Sequence, residues 1–197
     1  MARPMAFDKD MAVDKAMQLL WRDGYEASSV KSLSEALGIT RSSFYNSFGS
    51  RDELFKLALD HYLSTIPEAA LFTEAAETAF PAFMTALMRD VCRMRTSETA
   101  GAGCLAANSI AEILPAETLA AKSIEDLTHT MIDRLRALVE GAVSRSELPK
   151  ETDPNALSLA IHGMIMGLNL QSKIVTDEAE LWTSARQSLR GLGLYEE

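Results

Sequence analysis

The stretch TRSSFYNSFGSRDELF, residues 40–55, decides how the chain is read. Phe44 and Phe48 stand four residues apart. On a helix they share one face and pack inward together, with Leu33, Leu37 and Ile39 as partners. The opposite face carries Arg41, Ser42, Ser43, Tyr45 and Asn46, donors and acceptors of several lengths. Thr40 is placed to cap this helix, and the Phe48-Gly49-Ser50 run breaks it. Ser50 with Glu53 three residues on forms a capping box that opens a further helix.

Upstream, Ala12, Val13, Ala16, Met17, Leu20 and Trp21 follow the i, i+3, i+4 spacing of an amphipathic helix. Gly24 caps its end. Ser28 and Ser29 offer an N-cap for a short helix over residues 30–37, which Gly38 closes. Two short helices across a glycine turn make the helix-turn-helix outline, although any small helical bundle with such a turn shares it. A polar helical face is more often solvated than functional. Here the turn, the caps and the neighbouring Ser28, Ser29 and Lys31 favour contacts to phosphates and base edges. The first amides of the helix after Ser50, together with Arg51, make a ready phosphate site.

The bulk composition agrees with a folded, all-helical chain. Its 197 residues bury a sizeable core, with 47% apolar and 24% charged residues. Period-2 alternation is absent, β-branched residues are sparse, and no run has the roughly 20 apolar residues of a membrane helix. The polar start MARPMAFDKDM has no secretory core, so a cytoplasmic protein without membrane association is expected. Cys92 and Cys104 are too few for a disulfide framework and have no metal-ligand spacing; no metal or cofactor is expected. A net charge of −9 argues against indiscriminate coating of nucleic acid. The charge is uneven: residues 1–66 hold 8 Lys/Arg against 9 Asp/Glu, and residues 67–197 hold 11 against 19. Any phosphate contact therefore belongs to the first third.

At this point the sequence resembles the TetR family of bacterial transcriptional regulators. The matching features are Gly24-Tyr25, Ser28-Ser29, Leu37-Gly38-Ile39-Thr40, Phe44-Tyr45-x-x-Phe48 and Arg51-x-x-Leu54. Leu37 stands for the family's usual Ala and Arg51 for its usual Lys, which keeps the charge. The resemblance covers about a third of the chain. It implies a helix-turn-helix DNA-binding domain over residues 1–66 (motif about 29–48) and a helical regulatory and dimerisation domain over 67–197. It implies phosphate contacts from Ser29, Tyr45 and Arg51, and base-edge contacts from Thr40, Arg41, Ser42 and Ser43 with Asn46 on the same face. Arg3 is a candidate minor-groove arm or simply a tail residue.

The rest of the chain reads as helices over residues 80–95, 104–114, 117–145, 153–173 and 178–192. Residues 153–173 are apolar nearly all round, as expected of a helix covered on two sides. Ile161, Gly163, Gly167 and Leu168 there, with Trp182, Ala185 and Leu189 on the last helix, are candidates for a homodimer interface. Phe83, Met84, Leu87, Cys104, Asn108, Met131, His162 and Met166 are candidate walls of an apolar pocket for a small-molecule inducer, or else plain core.

Cys104 follows Ala102-Gly103 at a helix start, where amides and the macrodipole favour a thiolate. The Gly-Cys-Leu run with a following helical Asn resembles a branch of the family in which some members sense electrophiles or oxidants by cysteine; a small packing cysteine is the alternative. The expected function is thus a repressor released from a palindromic operator by a small apolar ligand, with a Cys104-based sensor as the alternative. A helical enzyme is the remote reading, because His61, His129 and His162 form no nucleophile-base motif with the cysteines.

Overall fold

A computed structural model describes residues 8–73, 78–97 and 101–196; Arg3 and the other N-terminal expectations lie outside the described residues. Within them the chain forms nine α-helices and one 3-10 helix. The first four are set by their caps. Asp8 accepts from the amides of Asp10 and Met11 to start α1 (Lys9–Asp23), and Gly24 ends it. Ser29 accepts from Ser32 N to start α2 (Val30–Leu37). Gly38, at φ +70°, closes α2 in the left-handed region that favours glycine. Thr40 accepts from Ser43 N to start α3 (Arg41–Phe48), and Ser50 from Glu53 N to start α4 (Arg51–Thr65).

A first core holds these helices together: Ala12, Val13, Ala16, Leu33, Phe44, Phe48 and Leu54. The Phe44 and Phe48 rings meet with centroids 5.4 Å apart, as their spacing predicts. The back of α1 and α4 does not face solvent. Met17, Leu20, Phe55, Leu59 and Tyr62 join a second core with Leu105, Ala107, Ile113, Ala121 and Ile124. These last come from α6 (Leu105–Ile113) and α7 (Leu119–Ser144).

The third core binds α5 (Phe80–Arg95), α7, α8 (Pro154–Gln171) and α9 (Glu178–Gly191) through Met84, Met88, Val91, Leu135, Val139, Ile161, Ile165, Leu181 and Leu189. The 3-10 helix Pro67–Phe72 is absent from the sequence reading. Six residues opened by a proline carry too short a pattern for hydrophobic periodicity to mark. It matters because it buries Glu68 and Leu71. Among the described residues no helix is long and apolar enough to cross a membrane.

Candidate functional site

The outer face of α3 and the start of α2 form one polar surface. Ser29, Thr40, Arg41, Ser42, Ser43, Tyr45 and Asn46 are all exposed. Tyr45 is 52% exposed, its ring steadied edge-on against buried Phe44 at 5.8 Å. The caps preset the hydroxyls: Thr40 Oγ1 lies 3.0 Å from Ser43 Oγ, and Ser29 Oγ lies 3.2 Å from Ser32 Oγ. Ser32 thus joins the surface, a residue the sequence reading passed over. Ser28 does not; it is buried and donates to Gly24 O at 2.6 Å.

Arg51 departs from the rest. Its guanidinium stacks on the Tyr25 ring at 3.9 Å and donates to Tyr25 O at 3.4 Å. It is half-buried at the start of α4, anchored on one side. Tyr25 is itself fixed, because its hydroxyl donates to Asp52. Burial first, and Asp52 next, push its pKa up to about 12.

A second site lies inside. Arg95, at the end of α5, is fully buried. Its Nη2 donates to Glu68 Oε1 at 2.8 Å, its Nε to Asn169 Oδ1 at 2.6 Å and its Nη1 to Met94 Sδ at 3.1 Å. Burial alone would lower the guanidinium's pKa. The Glu68 carboxylate, with help from Tyr62 and Cys104, outweighs that and raises it. Among the described residues Glu68 Oε2 is buried without a hydrogen-bond partner, and the buried Tyr62 hydroxyl has the Cys104 thiol as its neighbour. Burial first, and the neighbouring Cys104 next, push the Tyr62 phenol well up. Cys104 occupies the N-cap of α6, buried and not disulfide-bonded. Spacing gave no sign of Tyr62, Glu68 or Arg95 as members of this cluster.

Lys173 closes over the Cys104 loop. Its Nζ donates to Asn108 Oδ1 at 3.2 Å, and Asn108 Nδ2 donates to Ala102 O at 2.9 Å. The lysine stem lies so close to Gly103 that a Cβ there would stand 2.9 Å from Lys173 Cγ. Cys92 is a different case: burial first, and Glu178 next, push its thiol up to about 12, as suits a packing residue.

The other expected pocket residues separate. Met84, Leu87 and Met131 are buried in the third core, with Phe83 packed against it. Met166 touches both the second and third cores. Half-buried His162 has its pKa lowered by burial. A groove of about 530 Å³ opens elsewhere, floored by Leu59, Leu63, Phe72, Leu119 and Leu127 between α4, the 3-10 helix and α7. His61 pairs with Asp14 of α1 at 3.3 Å, outside both sites.

Of the residues expected at a dimer interface, Ile161, Leu168, Ala185 and Leu189 are buried in the third core of the subunit. Helical spacing marks an apolar face but not which of two apolar faces turns outward. Trp182 is half-covered, under Arg89 at 4.7 Å. Gly163 and Gly167 do sit on the outside, with nothing within 4 Å of a Cβ at either. They continue an exposed apolar stripe with Leu159, Leu170 and Ile174, of which Ile174 is 87% exposed.

Comparison with known proteins agrees with this arrangement. Residues 12–58 match the family described as bacterial regulatory proteins, tetR family, and residues 83–189 match the tetracyclin repressor-like C-terminal domain. The HTH-type transcriptional repressor ComR of Escherichia coli (strain K12) is 30% identical over 194 residues, covering 95% of this chain and 90% of that protein. An HTH-type transcriptional regulator of Bacillus subtilis (strain 168), YezE, is 28% identical, covering 90% and 92%. A cysteine mutant of the TetR family transcriptional regulator CifR, solved with 26bp double-strand operator DNA, superposes with a TM-score of 0.83. It has 28% identity, covering 95% of this chain and 98% of that one.

Proposed function

The chain belongs to the TetR family of bacterial regulatory proteins, and from that premise we propose that it is a cytoplasmic repressor that binds operator DNA as a homodimer and leaves it when an effector acts on the interior. One observation carries this reading: eight exposed hydrogen-bonding residues, Ser32 among them, share a surface whose reverse side, Phe44 and Phe48, is locked in a core. An exposed helix backed by a rigid core is what major-groove reading requires. Residues 1–66 supply the DNA contacts and residues 67–197 regulation and dimerisation.

The apolar stripe through Gly163 and Gly167 supports a two-fold dimer, whose interface is isologous and whose operator is correspondingly palindromic. Selection from a pool of random duplexes tests the reading. Wild type enriches one palindrome; a Tyr45→Phe, Arg51→Ala double variant that binds it equally well at moderate salt would sink the docking. Gly167→Leu is expected to yield monomers by sedimentation.

For release, a small ligand taken up between the helices of the regulatory domain is the first reading. The second places the response at Cys104. Its support is the buried thiol beside Tyr62 and the charged Arg95, where an adduct has no room without moving α6. A mild electrophile separates the two readings. Release from DNA in wild type but not in Cys104→Ser assigns the response to the thiol; equal behaviour assigns it to a ligand.

A further inference from the structure

Just past α1, two consecutive backbone N–H groups turn toward one carboxylate from the regulatory domain. Glu112, on the last turn of α6, accepts from Tyr25 N through Oε2 at 3.0 Å and from Glu26 N through Oε1 at 2.8 Å. The turn is built to admit it. Gly24 has φ +84°, which favours glycine, and a Cβ there would stand 2.6 Å from Glu112 Oε1 and 2.9 Å from Oε2. Just before the start of α6, Trp21 Nε1 donates to Gly103 O at 3.2 Å. Helix α6 is therefore fastened at both ends to the last turn of α1 and the residues that follow it.

Those residues lead straight to the DNA-facing surface. Tyr25 carries Arg51 on its ring and Asp52 on its hydroxyl. The other Asp52 oxygen accepts from Ala120 N at the start of α7, at 3.3 Å. Ser29, the cap of α2, comes three residues after Glu26. At the opposite end of α6 stand Cys104 and Asn108, the residues under Lys173. A helix this short moves as a rigid rod, so a shift at its start displaces the carboxylate at its end. A carboxylate held by two adjacent amides loses both bonds over a displacement of about 1 Å, because hydrogen bonds are steep in distance and angle.

We propose that Glu112 is the positioning residue that couples α6 to the DNA-contacting helices: its grip on the Tyr25 and Glu26 amides is the joint through which the interior site and the operator sense each other. The proposal rests on the DNA-binding reading. Coupling between two sites is reciprocal, so operator binding must in turn tighten α6. That can be measured without knowing the inducer.

The experiment uses the full-length protein and the duplex that wild type selects from a random pool. Hydrogen exchange is followed at the amides of residues 25, 26 and 108–113, with and without duplex. In wild type the duplex slows exchange in α6 by about tenfold, within the usual range of coupling factors. In Glu112→Ala the duplex still binds and still protects α2 and α3, but the α6 response falls below about twofold, as expected when the linkage is cut. Glu112→Gln, which keeps one acceptor, falls between. Gly24→Ala, which pushes the carboxylate away from the other side, gives the Glu112→Ala result. An α6 response equal to wild type in Glu112→Ala overturns the proposal even though DNA binding is intact. No selected duplex at all overturns the DNA-binding reading and this inference with it.

Discussion

The DNA-facing surface and the interior of the regulatory domain treat polar side chains in opposite ways. On α3 they stand outside, exposed to solvent, over a reverse side of buried rings. Around Arg95 they are drawn inside, and among the described residues Glu68 Oε2 is buried there without a hydrogen-bond partner. The first arrangement tolerates change because water replaces any lost contact. The second does not, since a buried group that loses its partner keeps the full cost of leaving water.

The sharpest way to break this contrast is Glu68→Ala. It strands the Arg95 charge in the core, and removing one partner of a buried pair costs about 3–5 kcal/mol. Replacing both partners, with Glu68→Leu and Arg95→Met, is expected to cost less than the single change. Urea unfolding of the two variants decides it; a single variant no less stable than the double would mean the pair is not held as a buried ion pair.

That contrast also governs how much of the molecule could be read from residues alone. The starts of α2, α3 and α4 are announced within four positions by Ser29, Thr40 and Ser50, and the stops of α2 and α3 by Gly38 and Gly49. The recognition surface is just as local, since Phe44 and Phe48 fix which face is hidden. The span of α5 was legible to the residue. The Arg95 cluster was not: Tyr62, Glu68, Arg95 and Asn169 come from four elements, and only folding brings them together. Glu112 was invisible for the same reason. It lies 87 positions from Tyr25, and its partners are backbone amides, which leave no trace in a sequence. Helical spacing marked α8 as apolar on two sides but not which side turns outward: Gly163 and Gly167 stand in open space, while Ile161, Leu168, Ala185 and Leu189 are buried.

On the surface, the expected effects are smaller and change the binding profile, not the fold. Arg41→Ala is expected to cost about 1–3 kcal/mol and relax preference at one base position, if the side chain reads a guanine. Arg51→Ala should weaken binding to all sequences alike and reduce the salt slope by about one unit. Binding curves on the selected operator and on a scrambled duplex, each at several salt concentrations, separate the two. Equal losses on both duplexes for Arg41→Ala would move that residue from base reading to phosphate contact.

Smaller again is Thr40→Ala. It deletes the acceptor for Ser43 N at 3.1 Å, and loss of such a cap costs about 1 kcal/mol. Because α3 keeps its Phe44 and Phe48 anchors, the loss should appear as a lower urea midpoint with an unchanged slope. A changed slope would indicate that α3 unravels separately from the rest.

The smallest effect belongs to His162, and it brings the comparison to a pH scale. Burial lowers its pKa, so the folded protein resists protonating an imidazole that the unfolded chain protonates near pH 6.5. Above that range both states hold it neutral and it contributes nothing to the pH dependence. As pH falls through that range the unfolded state binds more protons, so stability falls with pH. The slope ends only below His162's own folded value, where both states are charged. The ring is only half-buried, so the loss should be small. Urea midpoints at pH 7.5 and 5.5 measure it: wild type should lose more than His162→Gln over that interval. The groups on the recognition surface have no such imidazole, so acidification should weaken the regulatory core before it touches DNA reading. An equal decline in wild type and His162→Gln would move the pH sensitivity elsewhere and remove this distinction between inside and outside.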